Sequence, residues 1–423
     1  MSNVFEFGAA LTQKSRECEE MCLPYFKKIE RIAESNSRKV LKAFIENGVA
    51  EADLGISTGY GYSDRGRDKL DAVCAAAFGA EDAIIRHSFA SGTHTLSVAL
   101  FGILRPGDTM LCVTGRPYDT LLGVLGIDGE SNGSLAEFGV KYDEVALTKQ
   151  GKADIPAIKE KLKNNTYKMV YIQRSRGYSL RKSLSIQKIA EIVKAVREIN
   201  KTAVIMVDNC YGEFVEETEP VAVGADLMAG SLIKNPGGGI APCGGYIAGK
   251  KEYVEQCSYR MTCAGVGREV GATLGHNREL YMGFYNAPHA VGEALKTAVF
   301  AACLFKSFGY TVTPEFDEPR ADIIEAIVLG SENPLISFCK GLQKGSPIDS
   351  FVSPEPSSMP GYANKVIMAA GTFTLGSSIE LSADAPLREP YAVWMQGGIN
   401  YATAKLGILS AADEMIKNGL LIL

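Results

Sequence analysis

Lys234 lies between the apolar run Ala229–Ile233 and the segment Asn-Pro-Gly-Gly-Gly, which is not the setting of a solvated surface lysine. Partial desolvation lowers a lysine's pKa and so favours the free amine, and a free amine attacks an aldehyde carbon; an ordinary turn lysine is the plain alternative. Asp208-Asn209 closes the β-branched run AVIMVD. A carboxylate at the edge of a buried strand needs a partner, and a protonated pyridine nitrogen is one, while a turn or helix cap is another. Ser91-Gly92-Thr93 follows AIIRHSFA and opens a helix-like stretch. Free amides at a helix start bind a phosphate dianion, and glycine lets it come close, although the same triplet also serves as a plain N-cap. Tyr118, just after TMLCVTGRP, offers an aromatic face to a flat ring or simply packs. An amine, an acid, a phosphate cup and a ring stacker, in this order, are the parts needed to hold pyridoxal 5′-phosphate (PLP), which stores carbanion charge in its ring and depends on the protein to keep its nitrogen protonated.

The elements that must position these residues alternate. Residues 9–48 read as a charged helix with apolar residues at three-to-four spacing, ending at Asn47-Gly48. A Gly- and Tyr-rich loop follows at 57–67. Short β-branched runs at 83–86, 109–113, 167–173 and 203–208 are then separated by helical segments such as THTLSVALFGIL and SIQKIAEIVKAVREIN. Nearly continuous apolar strands alternating with helices predict a parallel sheet covered on both faces, with ligands gathered at the carboxyl ends of its strands. Beyond about residue 285 the texture changes to a helix over 289–308, a strand-like GYTVTP, a helical DIIEAIVLG (322–330), a Pro-rich stretch over 346–362 and a strand-like KVIMAAGTFTLGSS. The expected division is a helical arm at 1–56, a large domain at 57–288 and a small α+β domain at 289–423.

Composition removes other classes. With 423 residues, 46% of them hydrophobic, the chain can bury a large core. A net charge of -5 with both signs interspersed gives no basic field for nucleic acid. Ten cysteines without a C-x-x-C pair suit reduced, mostly buried thiols, and the four histidines show no metal-ligand spacing, so no metal is expected. The start MSNVFEFGAA lacks a basic region followed by an apolar one, and the apolar stretch around 290–305 is broken by Glu293 and Lys296. Neither a signal peptide nor a membrane span is expected, and the setting is cytoplasmic. No G-x-G-x-x-G follows an early strand, which disfavours a nicotinamide dehydrogenase.

Several segments carry a family resemblance. VDNCYGEF resembles the V-D-N-T-F segment, SLIK the S-x-T-K segment and SGTHTLS the phosphate loop of the fold-type I PLP enzymes, in the cystathionine/methionine lyase branch of Cys/Met metabolism. Over its whole length the chain resembles the methionine gamma-lyase-like or "aluminium resistance" group. That resemblance implies an aspartate aminotransferase-like α/β fold, with a mostly parallel large-domain sheet and a smaller α+β C-terminal domain. It implies Lys234 as the lysine that carries PLP as a Schiff base and takes the substrate's alpha proton, Asp208 as partner of the pyridine nitrogen and Tyr118 as the ring stacker. Ser91, Gly92, Thr93 and Ser231 are implied for the phosphate. The loop GYGYSDRGR resembles the branch's Y-S-R segment, which reaches into a neighbouring subunit's site; Tyr62 and Arg65 are the candidates, with Tyr60 and Arg67 as rivals. Ile233 departs from the branch's threonine before the lysine, and IQRSRGYS replaces the usual Asn-Pro pair, leaving Gln173 to stand in. Arg388 is the candidate for the substrate carboxylate, a bidentate task suited to guanidinium; a surface arginine in a loop is the alternative. The implied reaction is elimination of a thiol from a small sulfur-containing L-amino acid, by a homodimer with shared sites or a tetramer of two such dimers. Aldol cleavage, transamination or decarboxylation on the same fold, or PLP binding with little turnover, remain alternatives.

Overall fold

The structure is a computed structural model and describes residues 4–127, 132–359 and 364–423. The last residues of the Pro-rich stretch, from 360 on, lie outside the described residues. Twelve strands are described: β1 (Asp82–Arg86), β2 (Thr109–Cys112), β3 (Lys141–Glu144), β4 (Met169–Gln173), β5 (Val204–Asp208), β6 (Leu227–Ser231), β7 (Gly245–Gly249), β8 (Thr311–Thr313), β9 (Glu325–Val328), β10 (Val366–Ala369), β11 (Ser382–Pro386) and β12 (Ala392–Gln396). The helices are α1 (Ala9–Glu46), α2 (Arg65–Phe78), α3 (Gly92–Ile103), α4 (Asp119–Leu125), α5 (Ile155–Asn164), α6 (Ile186–Arg197), α7 (Lys251–Met261), α8 (Asn277–Ser307), α9 (Glu332–Lys344) and α10 (Tyr401–Lys417).

The first seven strands form one sheet in the order β1-β7-β6-β5-β4-β2-β3. It is parallel from β6 through β3, and β7 runs antiparallel between β6 and β1. Every residue of β4, β5 and β6 is buried, because helices cover both faces and leave no side of these strands wet. Helix α6 shows how the cover is made. Ser185 caps it by accepting from the Lys188 N–H, and Ile186, Ile189, Ile192, Val193 and Val196 turn one apolar stripe to the sheet.

The second sheet is antiparallel throughout, in the order β10-β11-β12-β9-β8. The stretch expected as a helix over 322–330 instead carries β9 at its centre, pairing with β12 and β8. Its nine residues include Ile323, Ile324, Ile327 and Val328, too short and too β-branched to hold as a helix once a two-sided strand position is open. Helix α8 runs unbroken for 31 residues through Pro288, and α1 packs along it. Among the described residues no helix is long and apolar enough to cross a membrane, and no three metal-ligating side chains converge.

Candidate active site

The parallel strands deliver their carboxyl ends to one edge of the large sheet. Asp208 ends β5 and Ser231 ends β6, on neighbouring strands with Asp208 in register with Ala229. The chain then turns through a short 3₁₀ segment at Asn235–Gly237, capped by Lys234. Gly237 has to be glycine: a Cβ there would lie 1.6 Å from the Leu232 carbonyl oxygen. Asp208, Ser231 and Lys234, with Gly92, Thr93 and Tyr118, line a single cavity of about 360 Å³. Its opposite wall comes from the second sheet, with Ser382, Asp384, Trp394 and Gln396. The loop before β11 is joined to the lysine's neighbour, since the Ser378 N–H donates to the Ile233 carbonyl at 3.1 Å.

The Asp208 carboxylate is almost wholly buried. One oxygen accepts from the Cys210 N–H at 3.1 Å and the other from the Tyr171 hydroxyl at 3.3 Å, which fixes its plane without supplying a counter-charge. The Lys234 ammonium lies 4.0 Å from the centroid of the Tyr211 ring. Tyr211 itself holds a left-handed backbone, at φ 69°, a strained conformation for an aromatic residue of the kind often found at functional sites. Burial pushes the Lys234 amine down, as expected, but the surrounding Cys210, Tyr211, Asp208 and Glu213 outweigh it, and the balance is upward. The expected depression of the Lys234 amine is therefore not observed.

The phosphate cup can be tested on two features. The Ser231 hydroxyl is buried and has no hydrogen-bond partner, an arrangement that costs stability unless something fills it. Beside it stands Gly92, the first residue of α3, where a Cβ would come within 3.2 Å of the Ser231 Cβ. An unmet hydroxyl, a helix N-terminus and a missing side chain open one space, and a phosphate ester fits that donor set. Thr93 joins it with its hydroxyl 2.7 Å from that of Thr120. Ser91 is committed elsewhere: its side chain accepts from the His94 N–H at 3.0 Å as the helix cap, and it does not line the cavity.

Other expected residues stand at the margin. Gln173 lies outside the cavity's lining and accepts from the Tyr118 N–H at 2.7 Å, so in this chain it orients Tyr118. Arg388 is exposed at the β11–β12 turn and borders an adjoining depression with Tyr118, Gln173 and Arg181. Tyr62 is exposed and stacked on Tyr60 at 5.3 Å, and Arg65 bonds Asp53 at 2.7 Å; neither lines its own chain's cavity. The rival Arg67 is buried, donating to the Gly61 and Gly271 carbonyls. Sequence reasoning passed over Tyr211, Tyr178, Asp384 and Trp394. An aspartate within the apolar strand SADAP was a usable signal, since such a carboxylate needs a partner. A larger cavity of about 560 Å³, near Phe5 and Ile399, contains none of the expected chemical groups.

The chain is similar to known proteins over nearly its whole length. The family model of methionine gamma-lyase matches residues 11–416. Bacillus subtilis protein YnbB, itself named as uncharacterized, is 47% identical over 422 residues, covering all of both chains. A crystal structure named as a carbon-sulfur lyase involved in aluminum resistance, from Clostridium novyi, is 49% identical with a TM-score of 0.94, covering 97% of each chain. The PLP-dependent protein YhfS from Escherichia coli, at 16% identity and a TM-score of 0.59 over 90% of this chain and 96% of that one, shares the fold.

Proposed function

The chain belongs to the methionine gamma-lyase family, whose cofactor is pyridoxal 5′-phosphate, and from that premise we propose that it is a carbon–sulfur lyase acting on a sulfur-containing L-amino acid of the cystathionine, methionine or cysteine type. The observation that carries this reading is the convergence of the Lys234 amine, the Asp208 carboxylate and the unpartnered Ser231 hydroxyl on one cavity.

When bound, the cofactor supplies an electron-poor ring that accepts the electron pair left when the substrate's alpha C–H bond breaks. The chain's own residues do the rest. Ser231 and the amides of Gly92 and Thr93 at the start of α3 would hold the phosphate. Asp208, its plane fixed by Tyr171 and Cys210, would keep a proton on the ring nitrogen. Tyr118, whose backbone N–H is held by Gln173, would offer its face to the ring. Lys234 would anchor the cofactor and, as a free amine, take the proton from the substrate's alpha carbon. Breaking the carbon–sulfur bond then releases a thiol, with ammonia and a keto acid after hydrolysis. Tyr62 and Arg65, outside their own cavity, suit a role in a neighbouring subunit's phosphate site, within a homodimer or a tetramer of two such dimers.

The test incubates purified protein with cystathionine, cysteine, methionine and threonine and measures thiol, ammonia and keto acid. Thiol release with ammonia, lost in Lys234→Ala, supports the reading, as does borohydride fixation of the cofactor to residue 234 by peptide mass mapping. Ammonia without thiol from every sulfur substrate, or cofactor absorbance unchanged in Lys234→Ala, overturns it.

A further inference from the structure

The cavity has two chemically distinct walls. The large-sheet wall carries Gly92, Thr93, Asp208, Ser231 and Lys234, which the preceding reading assigns to the cofactor. The wall from the second sheet is thereby left to the substrate's side chain. On it, Asp384 of β11 stands directly opposite Trp394 of β12 in the antiparallel register, and Ser382 stands opposite Gln396. Antiparallel partners present their side chains on the same face, so these four form one patch. The Gln396 amide donates to the Ser382 hydroxyl at 3.1 Å and to Asp384 at 3.4 Å. Tyr178 packs against the indole at 5.3 Å and on to Tyr118 at 5.8 Å, continuing the aromatic surface.

Among the described lining residues the charged groups are Lys234, Asp208 and Asp384, with no arginine. With the first two engaged by the cofactor, Asp384 is the charge left facing the ligand. A carboxylate beside aromatic rings is the set that recognises an organic cation, by charge and by the ring quadrupoles. Burial pushes the Asp384 carboxyl up, and hydrogen bonding from Tyr178 and Gln396 and the charge of Lys234 only partly offset it; a cation arriving beside it relieves that penalty, whereas an alkyl group leaves it in place.

Resting on the lyase reading, we propose that Asp384, with Trp394 and Tyr178 beside it, is the specificity-determining residue of this site and receives an ammonium carried beyond the sulfur of the substrate. The site therefore selects aminoalkyl thioethers of cysteine or homocysteine over their uncharged isosteres.

The test uses S-(2-aminoethyl)-L-cysteine and S-propyl-L-cysteine, which differ in a terminal ammonium against a methyl. Dissociation constants are measured by calorimetry on the holoprotein, and thiol release is measured in parallel. The wild type is expected to favour the aminoethyl compound by about tenfold or more. Asp384→Asn, isosteric and uncharged, should bring the ratio close to unity while leaving affinity for the propyl compound within about threefold. Trp394→Leu gives a second reading through a partial loss of the same preference. Equal wild-type affinities, or a preference surviving in Asp384→Asn, overturn the proposal. A binding preference with no thiol release from these compounds or from cystathionine, cysteine and methionine supports Asp384 and refutes the lyase reading.

Discussion

The amine of Lys234 lies 4.0 Å above the ring of Tyr211, a residue three positions after Asp208 in the chain. One loop thus brings the acid and the aromatic face to the same amine. The ring favours the charged amine and the phenol adds to that pull, so Tyr211→Phe should lower its proton affinity in part and Tyr211→Leu should lower it further, by about one pH unit. Because only the free amine adds to an aldehyde, the Leu variant of the cofactor-free protein should take up PLP faster at neutral pH. The pH profile of the uptake rate reads this directly; a profile identical to wild type would show that the ring does not tune the amine.

Ser231 and Gly92 make opposite predictions for the empty and loaded protein. An unmet buried hydroxyl costs about 1–3 kcal/mol, so Ser231→Ala should raise the melting temperature of the cofactor-free protein and weaken PLP binding. Gly92→Ala places a methyl in the same space and should weaken PLP about tenfold or more. Fluorescence titration with PLP and thermal melting separate the two effects; unchanged affinity in both variants would remove the phosphate from this corner.

Asp208→Asn keeps the shape and the backbone contact but loses the charge, and should lower the rate of thiol release at least about 100-fold. Tyr171→Phe removes only the supporting hydroxyl 3.3 Å away and should cost less than about tenfold. Steady-state kinetics that rank the two the other way would mean that the carboxylate acts through packing.

Glu213 gives the cofactor-free protein a pH signature. Burial pushes its carboxyl up from 4.5 to about 8. The folded state then holds a proton that the unfolded state has released, and folding stability falls as pH rises through that window. Glu213→Gln keeps an acceptor for the Tyr246 hydroxyl, which bonds the carboxylate at 2.9 Å, and should flatten the decline. Melting temperatures between about pH 4.5 and 8 test the slope.

Tyr62 and Arg65 point to an experiment on assembly. Mixing Lys234→Ala with Arg65→Ala subunits should recover activity that neither has alone, because one site in the hybrid then has both intact parts. No recovery would assign Arg65 to its observed partner, Asp53, which Lys69 also holds at 2.7 Å.

Much of the large-sheet half was legible because its signals are local. Asp208 and Lys234 each follow a short apolar strand, and parallel neighbours bring the ends of such strands to one edge, so sequence order alone predicted their meeting. The placement of β7 between β1 and β6 was not legible, since strand order is decided by long-range pairing. Nor was the pairing of Asp384 with Trp394, which depends on cross-strand register. Arg388 stands outside the lining of the Lys234 cavity for a related reason. It follows the strand that carries Asp384, but the chain turns there, with the Tyr391 N–H bonded to the Arg388 carbonyl at 2.8 Å, and the side chain is left outside.

The backbone bond from Ser378 to Ile233 fastens the ceiling of the chamber beside its reactive floor. Lifting that ceiling breaks this bond and pulls on the peptide next to the Lys234 amine, so the two walls move together. Lengthening the 371–380 segment should therefore disturb turnover before it disturbs folding.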